Sequence, residues 1–92
     1  MQGYSKAAEN NKAPIADIMG RHLPPDASVL EIGSGAGQHA LYMSNTFPGI
    51  TWSPSEQEVV VPILRANLAL YGSSNIQSPL VLDLTDFSWS GD

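Results

Sequence analysis

Ser28-Val29-Leu30-Glu31-Ile32-Gly33-Ser34-Gly35-Ala36-Gly37 is the stretch that decides the fold. Its first five residues lack the alternation of a half-solvated strand, as expected for a parallel strand covered on both faces. Three alternate glycines follow at once. From Gln38 to Phe47 the residues Ala40, Leu41, Ser44 and Phe47 fall on one helical stripe, and Pro48-Gly49 ends it. The order is strand, glycine loop, helix.

Working outward, residues 1 to 13 are polar, and Pro14 opens a stretch in which Ile15, Ile18, Met19 and His22 recur at helical spacing. Pro14 suits a first helical turn, and Leu23-Pro24-Pro25-Asp26 must end the helix, because a residue before proline avoids the α region. On the other side, Ile50 to Ser53 reads as a second strand. A helix carrying Val60, Ile63, Leu64, Asn67, Leu68 and Tyr71 then runs to Gly72, with Pro62 in its first turns. Val59 to Val61 could be taken for a strand, but Pro62 directly after it argues otherwise. Ser73 to Pro79 is loop and Leu80 to Leu84 a third strand; Ser88 to Asp92 completes nothing.

This αβαβαβ order predicts an α/β fold, a Rossmann-like parallel sheet with flanking helices and right-handed crossovers. Residues 1–92 form part of one domain, with 1–23 a polar arm plus helix. In the usual winding the first strand is central, which here would leave one edge bare and open to self-association. The fold is therefore expected to be incomplete, the natural chain continuing past Asp92 unless a partner supplies strands.

Of 92 residues, 42% are apolar and 14% charged, enough apolar surface for a globular chain. Nine acidic against four basic residues give a net charge of −5. Lys6, Lys12, Arg21 and Arg65 are dispersed, so contact with a nucleic-acid backbone is disfavoured. Absence of cysteine excludes disulfides, a thiolate metal site and a cysteine nucleophile; no metal is expected. No apolar run approaches membrane-spanning length and the N-terminal segment lacks the apolar core of a secretory signal, which predicts a cytoplasmic protein.

A glycine loop between strand and helix lets backbone approach a ligand closely, with helix amides facing it. The loop also lies at the carboxyl end of a strand, where open α/β sheets bind ligands. It does not match the dinucleotide fingerprint GxGxxG, because Gln38 stands where the third glycine belongs, and no Gly-Lys-Ser or Gly-Lys-Thr marks a phosphate loop. Glu31 precedes the loop and no Lys or Arg occurs between Arg21 and Arg65. A pyrophosphate would meet a carboxylate there. A ligand with a cationic sulfonium, an amine and a ribose suits these residues better.

Glu56 follows the second strand about 23 residues past Gly33, near the roughly 20-residue offset of a ribose-binding acid. Its competing role is a helix-start carboxylate. Asp83, ending the third strand, either accepts from an adenine amine or simply starts a loop. Glu31, inside an apolar strand, needs a partner if buried. His39 reads as a capping or solvated histidine, and Trp52, Tyr71 and Trp89 as packing groups.

Glu31-Ile32-Gly33-Ser34-Gly35-Ala36-Gly37 resembles the first motif of class I S-adenosylmethionine-dependent methyltransferases. Ala7 to Ile15, Gly35 to Ala40 and Asn75 to Thr85 resemble one subfamily, the methyltransferase-like 26 group, so the likeness spans about Ala7 to Thr85. It implies the N-terminal part of a class I methyltransferase fold with S-adenosylmethionine as cofactor. The implied cofactor-binding residues are Glu31, Gly33, Ser34, Gly35, Gly37, Glu56 and Asp83, with the glycines under the methionyl and ribose parts, Glu56 on ribose and Asp83 by adenine. The resemblance also places Glu9, Asn11 and Lys12 in a lid over the cofactor. Two departures stand out: Glu56 replaces an aspartate, and Asn10 replaces a basic residue. No catalytic base is assignable, the acceptor is unknown, and the 92-residue chain alone is expected to be inactive. A nicotinamide-dependent oxidoreductase and a non-catalytic Rossmann-like interaction domain are the competing readings.

Overall fold

A computed structural model describes residues 1–82. Its elements are α1 (Lys6–His22), β1 (Ser28–Ile32), α2 (Gln38–Thr46), β2 (Thr51–Glu56), α3 (Val61–Tyr71) and β3 (Leu80–Val81). The strands form one parallel sheet in the order β1-β2-β3, with Ser28 to Ile32 facing Thr51 to Ser55 in register and Ser55-Glu56 facing Leu80-Val81. The expected α/β architecture is thus present. Within the described sheet β2 is the middle strand and β1 an end strand whose flank opposite β2 is unpaired, which is the bare edge expected from the sequence.

The core lies between the sheet and the helices. Ala16 of α1, Ala40 and Met43 of α2, Ile50 and Trp52 form its buried centre, with Val29, Phe47 and Leu68 packed around it. Side chains of a strand alternate between faces, so Leu30 and Ile32 point away from Val29, and they stay 53% and 51% exposed. That half-bare face is the second consequence of a three-stranded sheet carrying its helices on one side. No helix among the described residues is long and apolar enough to cross a membrane.

Two boundaries differ from the sequence reading. Helix α1 starts at Lys6, not Pro14: Ser5 caps it, its hydroxyl accepting from the Ala8 amide, and Glu9 sits in the first turn against the helix dipole. Pro14 then falls inside the helix, where the carbonyl it leaves unpaired belongs to the exposed Asn10 and can reach water. Strand β2 likewise continues past Ser53 through Pro54 to Glu56. A proline in a central strand needs a gap in the ladder. Here Trp52 and Glu56 bond toward the β3 side, so Pro54 faces that side too. It lies between the isolated bridge Trp52↔Ile76 and the pairing that begins at Ser55↔Leu80, where no ladder donor is required.

The predicted stripe holds in α2 but not in α1, where Ile15 and Ile18 are 40% and 56% exposed and the buried residue is Ala16. Pro62 lies in the first turn of α3, and Val61, Leu64 and Asn67 face inward. Tyr71 is 57% exposed and is not a packing group. Asp83, Leu84 and Trp89 lie outside the described residues.

Candidate functional site

The loop Gly33 to Gly37 leaves the carboxyl end of β1 and enters α2. All three of its glycines have positive φ: 72° at Gly33, 58° at Gly35 and 94° at Gly37. L-residues reach this region at a cost of roughly 1–2 kcal/mol, so the backbone path itself selects glycine. What surrounds each glycine differs. A Cβ on Gly33 or Gly35 would meet nothing within 4 Å, whereas one on Gly37 would lie 3.1 Å from Leu64 Cδ1 and 3.3 Å from Leu68 Cδ2. Gly33 and Gly35 therefore border open space, and Gly37 is the point of close approach between the loop and α3.

Strand β2 holds the loop in shape. The Ser34 amide donates to the Ser55 carbonyl at 2.9 Å, and the Ser55 amide donates to Ser34 Oγ at 3.0 Å. Ser55 Oγ donates to the Glu31 carbonyl at 2.5 Å. Ser34 is buried, so its hydroxyl serves the scaffold, and any ligand contact it makes must come from backbone.

Glu56 closes the arrangement. Its Oε2 accepts from the Gly35 amide at 2.9 Å and its Oε1 from the Gln57 amide at 2.8 Å. Each carboxylate oxygen can accept a second hydrogen bond, so a polyhydroxy ligand lying on Gly33 to Gly35 would find two acceptors beside the loop. No side chain caps α2, whose N-cap is Gly37. None of the four basic residues lies in the loop or at the strand ends, and Lys12 is committed to an ion pair with Glu9.

The structure thus brings Gly33, Ser34, Gly35, Gly37 and Glu56 together and sets Glu31 apart. The Glu31 carboxylate turns to the helix side of the sheet and accepts from the Trp52 indole at 3.1 Å. That bond supplies the partner a half-buried carboxylate requires. Glu31, Trp52 and the half-buried His39 line a groove together with Ile15, Met19 and Met43. Asp83 lies outside the described residues.

Two residues next to the loop were not singled out as site residues from sequence. Gln38 is buried, as is Asn67, which is 2% exposed on an otherwise apolar stripe. A polar residue in a core stripe is the signal that could have pointed to Asn67, since burying an amide requires bonded partners. Both reach the N-terminal arm. Gln38 Oε1 accepts from the Ser5 amide, and Gln38 Nε2 donates to the Ser5 carbonyl and to Glu9 Oε2. A groove of about 520 Å³ runs along the arm, α1 and α2 beside Tyr4, Lys12 and Tyr42, and meets the loop region only through Gln38. The site at the loop is an open face and not that groove.

The Glu9 carboxyl is held below the ordinary carboxylate range, first by the hydrogen bond from Lys12 and second by that from Gln38. A depressed folded value contributes stability at pH above the ordinary carboxylate range, and the contribution is lost as pH falls through the folded value. Carbon-detected NMR titration should therefore show the Glu9 midpoint rising in Lys12→Ala and rising less in Gln38→Ala. An unmoved midpoint in both would mean these contacts do not form in solution.

A family model described as "Protein of unknown function (DUF938)" matches residues 2–92. Among solved structures, coclaurine N-methyltransferase bound to N-methylheliamine and SAH aligns over 98% of this chain and 26% of its own, at 12% identity with a TM-score of 0.67. PigF with SAH aligns over 83% of this chain and 26% of its own, at 31% identity with a TM-score of 0.54. The chain spans about a quarter of the length of each. What the alignments share is the fold, which matches the N-terminal part of a methyltransferase Rossmann-like fold.

Proposed function

The chain belongs to the family described as Protein of unknown function (DUF938), and we propose that it is the cofactor-binding part of a class I S-adenosylmethionine-dependent methyltransferase. The observation that carries this reading is the bond from the Gly35 amide to Glu56 Oε2, between two strand ends, beside glycines whose missing Cβ atoms leave open space. The donor set fits the cofactor: a carboxylate for ribose hydroxyls, backbone without a cation near the sulfonium and methionyl groups, and nothing to hold a pyrophosphate. Both solved structures named above were determined with SAH, the demethylated form of that cofactor, which supports the same choice.

Bound S-adenosylmethionine supplies an activated methyl group for in-line displacement, a reaction governed by proximity and orientation. In this reading the chain's own task is to hold that group. Gly33 and Gly35 let the backbone lie against it, Glu56 accepts from the ribose, and Ser34 and Ser55 keep the loop from shifting. Asp83 is assigned to adenine by resemblance alone. Glu31 is assigned to the cofactor's surroundings on the same basis, although its carboxylate faces Trp52. Membership of the methyltransferase-like 26 group and a cytoplasmic location belong to the same proposal, resting on the motifs quoted above and on the cysteine-free sequence. The unpaired edge of β1 is where a further strand would join the sheet, from more of the polypeptide or from a second copy.

Gln38 weighs against a nicotinamide cofactor. The third fingerprint glycine serves close helix packing, but here Gly37 makes the close approach and Gln38 is spent on the arm. Glu56→Ala is expected to weaken SAH binding by roughly 10- to 100-fold, because hydrogen bonds to a charged group contribute about 1.5–3 kcal/mol each. Calorimetric titration measures this. Unchanged affinity would remove Glu56 from the site and with it the main support for the reading.

A further inference from the structure

The segment Gln2 to Ser5 crosses the end of the glycine loop as a strap fastened at two points. At one, the Asn67 amide of α3 donates to the Gln2 carbonyl at 2.8 Å and to the Ala36 carbonyl at 2.9 Å, so one side chain ties strap, loop and helix together. At the other, Gln38 exchanges hydrogen bonds with the Ser5 backbone at 2.5 and 3.0 Å and donates to Glu9 at 3.1 Å. Between these points Gly3 has φ 71°, and a Cβ there would stand 3.4 Å from Ala36 Cβ, so the strap runs close over the loop.

The strap buries none of its own side chains: Met1 to Ser5 are all exposed. It is held by hydrogen bonds to two buried amides and not by apolar burial. Segments held in that way lie at the low end of local stability and open without global unfolding. The loop they touch is the one whose Gly35 amide Glu56 fixes, and Ala36, bonded to Asn67, is the next residue along.

Building on the methyltransferase reading, we propose that Gln38 and Asn67 are positioning residues that couple closure of this strap to occupancy of the cofactor loop. Closing the strap fixes Ala36 and the start of α2, which sets the direction of the loop amides. By linkage, a ligand that needs the ordered loop must hold the strap closed by the same factor.

Trypsin reads strap opening, because cleavage after Lys6 requires the strap and first turn of α1 to detach. The affinity of the wild-type chain for SAH is measured first, then release of the Met1–Lys6 peptide is followed by mass spectrometry with and without saturating SAH. The expected result is at least fivefold slower release with SAH. In Gln38→Glu, which matches glutamine in shape but cannot donate to Ser5 or Glu9, release is fast, insensitive to SAH, and accompanied by a roughly tenfold rise in the SAH dissociation constant. Asn67→Ala should do the same; because it also empties a buried site, Gln38→Glu at an unchanged melting temperature is the deciding variant. Binding of SAH without protection of the strap, or protection retained in Gln38→Glu, would overturn the coupling and leave the methyltransferase reading standing. Absence of SAH binding by the wild-type chain would overturn that reading and the coupling together.

Discussion

Gly35→Val is expected to weaken SAH binding at least 100-fold while the fold survives. Gly35 has φ 58°, so a β-branched residue there is strained by about 1–2 kcal/mol. In a domain of this size that lowers the melting temperature by several degrees, at roughly 4–8 °C per kcal/mol. Affinity suffers more than stability because the new side chain would enter the open space beside the loop, where nothing of the protein lies within 4 Å of the Cβ. The strain also pulls the Gly35 amide from Glu56 Oε2. Calorimetry against SAH with parallel thermal melts separates the two effects. Retained affinity would mean that SAH does not lie on Gly35.

Gly37→Val should do the reverse, acting on stability first. Its Cβ would press on Leu64 and Leu68 at 3.1 and 3.3 Å, and Leu64 is fully buried. Overpacking contributes about 1–3 kcal/mol and the left-handed φ about 1–2 kcal/mol more. Small domains hold only about 0.05–0.15 kcal/mol per residue in reserve, so the melting temperature should fall by roughly 15 °C or more. Circular dichroism melts test this. A Gly37→Val variant as stable as the wild type would show that α3 does not pack against the loop as described.

The two glycines stand one residue apart in the same motif, and nothing in their spacing tells them apart. The motif's strand, loop and following helix were legible because an unbroken apolar run, consecutive breakers and a 3.6-residue period are local signals. The parallel sheet followed from their alternation. Three features were not legible, the start of α1 because a local signal was overridden and the other two because they depend on contacts distant in sequence. The start of α1 was masked by Pro14, whose interior position is tolerable only because Asn10 is exposed. The length of β2 was masked by Pro54, tolerable only because β3 leaves a gap opposite it. Gln38 entered the sequence reading as a departure from the dinucleotide fingerprint and as part of the stretch Gly35 to Ala40, and its bonds to Ser5 span 33 residues. Glu56 was legible by its offset from Gly33, but its pairing with the Gly35 amide spans 21 residues and follows only from the fold.

Calorimetric titration of the chain with SAH, run beside the same titration with NAD, tests the account most directly. Saturable binding of SAH with no heat from NAD is the predicted result. Binding of NAD, or of neither ligand under conditions where the chain is folded by circular dichroism, would contradict it.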